Sequence, residues 1–418
     1  MAGKFTTRKK LIMLSAAIME NMNYLKESDD LFPQSEMEGK KYGMSVHGYL
    51  PDAGSVSQGL VAHPDKAHQV EVTAWLDNYN TSAETDMWDE IENIEDFKKE
   101  MVDKRAKKLA REVQLAVIRE NVFRSAQVVV TNSVGYDLLG DASSALDELS
   151  IVGERVDFQT PKTFSKIART GANLFLPSDI QKELYEDASL GTYNEAACVK
   201  LPGLPILDTT GMAASLTVSG TVKKDASNNV LGVSQITTCS GVSGDVIPGV
   251  PYTVDGLKVV DEGGVETEQA YVVIPVSEVY YDEDGARQTR TVIPGLRISA
   301  TGKSWGNPNA HMAAATISSA TVDTTVTLTL TPVSGIVAGK HYQVGQVRNK
   351  KALSFSGQKF KNLPAAKQDN VGVYENVSLK MQSAPEIING VSYFRIDMPF
   401  VARIFDNRQS VTTYLQLD

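Results

Sequence analysis

Histidine and cysteine are scarce: five and two residues in a chain of 418. Cys198 and Cys239 cannot build a disulfide framework or a four-thiolate zinc site, and read as small core hydrophobes. His47, His63, His68, His311 and His341 leave little material for metal chemistry. Excess positive charge is also missing. Lys+Arg total 41 against 51 for Asp+Glu, a net charge of −10. That balance argues against gripping nucleic acid over a wide basic surface. No run approaches the ~18 apolar residues a membrane helix needs. What remains is ordinary folded composition, 42% hydrophobic and 22% charged. At roughly 150 residues per domain, the length allows two or three folding units.

The first residues share one feature with a secretion signal: Arg8, Lys9 and Lys10 precede the apolar stretch Leu11 to Met19. Glu20 and Asn21 then stand where a small-residue cleavage site would be. Leu11, Leu14, Ala17, Ile18 and Leu25 instead fit one helical face. The reading is a mobile arm over residues 1–40 carrying one amphipathic helix, in a soluble protein made in the cytoplasm.

Residues 41–89 read as an extended hairpin. Tyr42 to Leu50 and Val70 to Leu76 are strand candidates, separated by the Gly/Ser-rich stretch Pro51 to Gly59. Two strands alone are marginal in water, so this ribbon should lie on a neighbour. A long helix is then expected over about 90–124. Ile94, Phe97, Met101, Leu109, Val113, Ala116 and Val117 recur at three- and four-residue spacings. Acids dominate its start and bases its middle and end, which suits the helix dipole. Its narrow apolar stripe predicts a spine lying against a sheet.

Val128 to Thr131 reads as a strand. Ala142 to Leu149 reads as a helix capped by Asp141, Asn173 to Leu176 as a strand, and Pro177 to Tyr185 as a helix. Cys198 to Asp208 is extended and punctuated by proline. From Leu216 to Val347 threonine, serine, valine and glycine dominate. Strand-length runs appear at Ala270 to Ile274, Thr291 to Ile293 and Val322 to Thr331, as in a β-barrel or sandwich. Strands return at Val391 to Asp397 and Phe400 to Phe405. The β-unit over 216–347 therefore reads as inserted into an α/β domain.

No arrangement of reactive residues stands out. Gly302-Lys303-Ser304 ends like a phosphate loop, but Arg297 stands where the first glycine belongs and a turn follows. The same residues with Asp323 and His341 imitate a hydrolase order without its strand–turn–helix setting. His63, Asp65 and His68 share a proline-containing loop and lack a third ligand at useful spacing. Asp282-Glu283-Asp284-Gly285 imitates a calcium loop, but Ile293 replaces its closing glutamate, so a charged hairpin tip is expected. The basic run Lys104 to Arg111 is flanked by Asp103 and Glu112, lacks aromatics and reads as a solvated helix face. No catalytic residue, cofactor site or metal site is predicted.

Four stretches, in order, carry a family resemblance. They are Val70 to Asn80 leading into 90–131, with Arg105 to Leu115 and Val128 to Thr131 at its centre; Leu201 to Leu207 with Leu216 to Gly220; Gly241 to Lys258; and Thr327 to Pro332. The chain resembles tailed-bacteriophage major capsid proteins of the Hong Kong phage-type fold, and looks closest to the short-tailed Salmonella-phage coat type with an inserted β-barrel. The resemblance implies an α+β fold with four parts: an N-terminal arm (1–40), an extended β-hairpin loop (41–89), a capsid core (90–215 and 348–418) of spine helix, peripheral and axial domains, and an inserted all-β barrel (216–347). It implies a non-enzymatic coat protein of the virion, made in the bacterial cytoplasm. Copies would form hexamers and pentamers of an icosahedral shell with scaffolding and portal proteins, with room for a decoration protein, enclosing DNA without sequence-specific binding and without a membrane. Contacts between subunits are expected from one of two polar stretches: Lys223, Lys224 and Asp225, or the hairpin bearing Asp282, Glu283, Asp284, Arg287 and Arg290. The competing class is a β-rich surface adhesin or binding protein, which should carry a signal peptide.

Overall fold

A computed structural model describes residues 22–26, 28, 43–51, 69–86, 96–149, 151, 153–172, 189–193, 196–224, 230–236, 239–260, 266–293, 296–299, 311–314, 325–357, 367–374, 377–386 and 391–417. In chain order it begins with a short helix α1 (Asn23–Lys26), the ribbon strands β1 (Ser45–Pro51) and β2 (Gln69–Trp75), then β3 (Asp77–Asp86). A long helix α2 (Asp96–Asn121) follows, with β4 (Gln127–Thr131), α3 (Tyr136–Glu148), β5 (Arg155–Gln159), α4 (Pro161–Ala172), β6 (Ser189–Tyr193), β7 (Ala196–Lys200) and β8 (Ile206–Asp208). The all-β stretch comprises β9 (Ser215–Lys224), β10 (Val230–Ile236), β11 (Cys239–Val242), β12 (Tyr252–Val260), β13 (Glu266–Val273), β14 (Val276–Tyr281), β15 (Arg287–Val292), β16 (Leu296–Ser299), β17 (His311–Ala314) and β18 (Thr325–Pro332). The chain closes with β19 (His341–Asn349), β20 (Leu353–Gly357), β21 (Lys367–Tyr374), β22 (Val377–Glu386), β23 (Val391–Ile404) and β24 (Ser410–Gln416).

Helix α2 forms where the stripe predicts it. Ala106, Leu109, Ala110, Val113, Val117 and Ile118 are buried, while Lys104, Lys107, Lys108, Arg111, Glu112 and Arg119 are exposed. At ~1.5 Å per residue its 26 residues span about 39 Å. The buried face lies on β3 and β23, and each fully buried aliphatic side chain contributes about 1.5–3 kcal/mol. The helix ends at Asn121, three residues before the expected limit. The fully buried Asn121 amide donates to Val117 O at 2.9 Å and accepts from Ile404 N at 2.9 Å. One side chain thus satisfies a helix-end carbonyl and ties the helix to β23.

Two sheets flank the helix. In the five-stranded sheet, β20, β23, β22 and β21 follow in order, and β3 pairs with β23 over Asp77–Asp86. Strand β23 runs unbroken where two strands are expected. Its Pro399 falls between the last residue paired with β22, Asp397, and the first paired with β20, Phe400. The missing N–H therefore sits at a changeover between neighbours, where a proline is tolerated. The seven-stranded sheet has the order β4-β24-β19-β5-β7-β6, with β8 beside β19.

The chain leaves and re-enters this second sheet at one point. Strand β8 pairs with β19 from His341↔Asp208 to Gln343↔Ile206. Just beyond, Thr209 N donates to Lys340 O at 3.1 Å, and Lys340 N donates to Thr209 Oγ1 at 3.0 Å. Among the described residues between these two strands, every helix or strand element is a strand. Strands β9, β10, β16, β17, β12 and β18 pair in that order, and β18 returns to β9, so the hydrogen-bonded circuit closes. Its base is continuous with the main core. Tyr414 Oη donates to Gly249 O at 2.6 Å. Gly249 has φ +96°, and a Cβ there would lie 2.7 Å from the Phe123 ring, so only glycine allows this approach.

Other expectations need correction. Asp141 is not a cap: helix α3 begins at Tyr136, after Gly135, because Leu138 and Leu139 reach the core and draw in an earlier turn. The arm is not free at its end. Met22, Tyr24 and Leu25 are buried in the chain's own core. The strand and helix expected over 173–185 lie outside the described residues, as do Leu11, Leu14, Ala17 and Ile18.

Candidate interaction surface

The anchor of the arm is built around Tyr24. Its hydroxyl donates to Gln346 Oε1 at 2.7 Å, and its amide donates to Gln114 Oε1 of α2 at 3.1 Å. Arg348 Nη2 donates to Tyr24 O at 2.8 Å. The Arg348 guanidinium lies against both the Tyr24 and Phe158 rings, 4.8 and 5.0 Å from their centroids, and the two rings touch each other with centroids 4.9 Å apart. Gln346 extends the network to Asn121 O at 3.1 Å and Ser410 Oγ at 2.9 Å. Burial pushes the Tyr24 hydroxyl up to about 12, against the opposing pull of the Arg348 charge.

The charged hairpin forms from β14 and β15, in register from Val276↔Val292 to Tyr281↔Arg287. Gly285, at φ +77°, closes the tip. Asp282 is committed to the turn: its carboxylate accepts from Ala286 N at 2.7 Å and Gln288 Nε2 at 3.2 Å. The Ala286 bond, then that from Gln288, holds this carboxyl below the usual range. Glu283 and Asp284 are exposed at the tip.

The hairpin's arginines are exposed but pair with carboxylates of the same chain. Glu278, with 13% of its side chain exposed, accepts Arg403 Nη2 at 3.0 Å and Arg290 Nη2 at 3.0 Å, with Arg124 Nη2 at 3.6 Å. Arg124 and Arg403 are 7% and 3% exposed. Burial pushes Glu278 up, but Arg403 and Arg124, then Arg290, outweigh it and hold the carboxyl low. Burial, then repulsion from Arg403, pushes Arg124 down to about 9. A guanidinium keeps its proton at ordinary pH, so this is a cost of burying charge. Arg403 Nε and Nη1 and Arg124 Nη2 lack hydrogen-bond partners. Arg287 donates to Asp77 Oδ2 through Nε at 3.2 Å and Nη2 at 3.1 Å. Arg290 also covers the Tyr280 ring, 4.8 Å from its centroid.

Of the eight candidate contact residues, Asp282, Glu283, Asp284, Arg287 and Arg290 therefore share one hairpin. Lys223 and Lys224 lie at the end of β9, in the closed circuit, paired with Gly232 and Val230. Asp225 lies outside the described residues. The sequence reading missed Asp77, Tyr281, Glu278, Arg124 and Arg403, none of which shares a local pattern with its partners. Gly302, Lys303, Ser304, Asp323, His63, Asp65 and His68 lie outside the described residues. His341 Nε2 stands 3.8 Å from Asp208 Oδ1, both about half exposed. Among the described residues no helix is long and apolar enough to cross a membrane, and no three His, Cys, Asp or Glu side chains converge as metal ligands.

No protein-family model and no curated protein sequence matches this chain. Solved structures give weak overall likenesses. The capsid of Ralstonia phage GP4 is similar at 6% identity and TM-score 0.45, covering 94% of this chain and 87% of that one. The acid-stable capsid of Helicobacter pylori bacteriophage KHP30 is similar at 9% identity and TM-score 0.41, over 94% and 87%. A virus-like particle from Pyrococcus furiosus is similar at 9% identity and TM-score 0.38, over 96% and 97%.

Proposed function

We propose that this chain is the major capsid protein of a tailed double-stranded DNA bacteriophage, a structural subunit that tiles with copies of itself into an icosahedral head shell. The observation that carries the reading is the single exit and return at Asp208 and His341. An all-β unit with a closed strand circuit is spliced there into a core of spine helix and two sheets. That is the layout implied by the sequence resemblance to the Salmonella-phage coat type. In this reading the closed circuit is the inserted barrel and α2 is the spine. Strands β1 and β2 are the extended loop, and the arm is anchored to the core at Met22, Tyr24 and Leu25.

The ribbon supports the same reading. Its foot rests on a small apolar cluster of Val46, Ala74, Leu76, Val401 and Phe405, separate from the main core. A two-stranded ribbon seated only at its foot is stabilised by lying across a neighbouring copy. The net charge of −10 suits a container that encloses DNA without gripping it. Assembly with scaffolding and portal proteins, a decoration protein on the outer face, residence in the virion and synthesis in the host cytoplasm belong to the same proposal. Glu283 and Asp284 are the hairpin side chains free to meet a neighbouring subunit, ahead of Arg287 and Arg290, which are bonded within the chain.

Electron microscopy of the chain expressed with its scaffolding protein tests the proposal. Closed shells or curved sheets are expected. Discrete monomers that never polymerise under any condition overturn it.

A further inference from the structure

Asp77 sits at the joint where the ribbon ends and β3 begins, and is only 8% exposed. Its two carboxylate oxygens accept four hydrogen bonds. Oδ1 accepts from Tyr281 Oη at 2.6 Å and from Asn78 N at 2.8 Å. Oδ2 accepts from Arg287 Nε and Nη2. Two of the three donor residues lie on the β14–β15 hairpin, more than 200 positions along the chain.

Tyr281 grips both sides of the ribbon's foot. On the side of β1, its ring lies over Gly43. A Cβ on Gly43 would stand 3.0 Å from Tyr281 Cδ1, and the backbone there is left-handed at φ +80°. On the side of β2, the ring is 6.1 Å from that of Trp75. The foot itself is closed by Gly43 N to Leu76 O at 2.7 Å and Leu76 N to Met44 O at 2.9 Å. The hairpin is in turn pinned at Glu278 to Arg124, just past α2, and to Arg403 on β23.

We propose that Asp77, Tyr281 and Arg287 form a latch that fixes the direction in which the ribbon leaves the core, with the hairpin as a strut braced at Glu278. A ribbon held by its small apolar seat alone would pivot, because the ribbon residues in that seat, Val46, Ala74 and Leu76 with Val72 against them, all lie near the foot. The bonds at Asp77, short from Tyr281 and Asn78 and paired from the Arg287 fork, are directional, so they select one angle. Opening the latch frees the ribbon to swing as a unit without unfolding β3, which remains paired to β23 from Asp77 to Asp86.

Hydrogen exchange on the full-length, unassembled chain tests the latch, and its result does not depend on whether the chain builds shells. Replacing Asp77→Asn and Arg287→Gln together should speed amide exchange in Ser45–Pro51 and Gln69–Trp75 by about tenfold or more. Exchange in β23 and α2 should stay unchanged. Tyr281→Phe keeps the ring on Gly43 and removes one bond, so it should give a smaller increase confined to the same strands. Unchanged ribbon exchange in both variants overturns the proposal. So does a uniform rise across the whole chain, which marks general destabilisation. If the double variant does not fold, Tyr281→Phe decides alone by the same two readings.

Discussion

Helix α2 and the 276–292 hairpin are fastened to adjacent residues of the same strand by opposite chemistry. The helix end meets Ile404 through the neutral Asn121 amide, while the hairpin meets Arg403 through the Glu278 carboxylate. Around the helix, apolar contacts and neutral groups carry the joint: Gln346 to Asn121 O, Thr412 to Val122 O at 2.8 Å, and the stripe from Ala106 to Ile118. Around the hairpin, three arginines converge on one glutamate and leave donors unpaired. The neutral joint buries amides that are bonded within it, while Glu120, one residue before Asn121, belongs with the charged joint through Arg403 and Arg124. The charged joint holds only while its partners are complete, which suits a strut more than a spine.

The largest effect should come from breaking the charged joint. Glu278→Gln removes the carboxylate bonded to Arg403 and leaves Arg124 and Arg403 with Glu120 as their remaining acidic neighbour, and should cost about 3–5 kcal/mol. Urea unfolding of the unassembled chain measures it. Removing the whole set, with Glu120→Gln, Glu278→Leu, Arg124→Met and Arg403→Leu combined, should recover most of that loss, because Glu120 is the other carboxylate beside both arginines. A cost below about 1 kcal/mol for Glu278→Gln would show that the cluster is not the hairpin's brace.

The next effect separates the arm's anchor from both joints. The Tyr24 hydroxyl is raised to about 12 from its ordinary 10. A raised folded-state value means the folded chain holds this proton more tightly than the unfolded one. Its contribution is therefore complete below pH 10 and lost as pH rises from 10 to 12, roughly 2–3 kcal/mol in all. Tyr24→Phe should lessen the decline over that range by this amount, the remainder belonging to Tyr79, Tyr271, Tyr281 and Tyr414, whose hydroxyls burial also pushes up. An identical decline in the variant would assign the loss to other groups.

The spine was legible because its signal is local. Leu109, Val113 and Val117 repeat on one face, and the acid-to-base order points along the axis. The ribbon strands and the strand-rich stretch after 215 were legible for the same reason. Strand β5 was not, because Arg-Val-Asp-Phe-Gln looks polar. Arg155 is nonetheless 3% exposed, its two Nη atoms bonded to Ser143 Oγ at 2.9 Å and Ile151 O at 2.8 Å while its Nε has no hydrogen-bond partner. Asp141 misled because cap chemistry was read without knowing that Leu138 and Leu139 are core residues. The eight candidate contact residues were chosen for charge on turns, and that rule cannot tell a free charge from one bonded at home. Arg287 and Asp77 are 210 positions apart, and no pattern in the chain announces their pairing.

The smallest effect sharpens the comparison most, because it is read in salt. Arg290 is 52% exposed where it meets Glu278, so its pair is screened and should contribute only about 0.2–1 kcal/mol. Arg290→Gln should show that cost at low ionic strength and lose it near 1 M salt, where the Debye length falls to about 3 Å. Asn121→Ala removes a neutral amide and strands the Ile404 N–H in the core, a cost of about 1–3 kcal/mol that salt should not change. If both costs responded to salt alike, the division into a neutral spine joint and a charged hairpin joint would fail. If only Arg290→Gln responded, ionic strength would act selectively on the hairpin's exposed rim and leave the spine's attachment untouched.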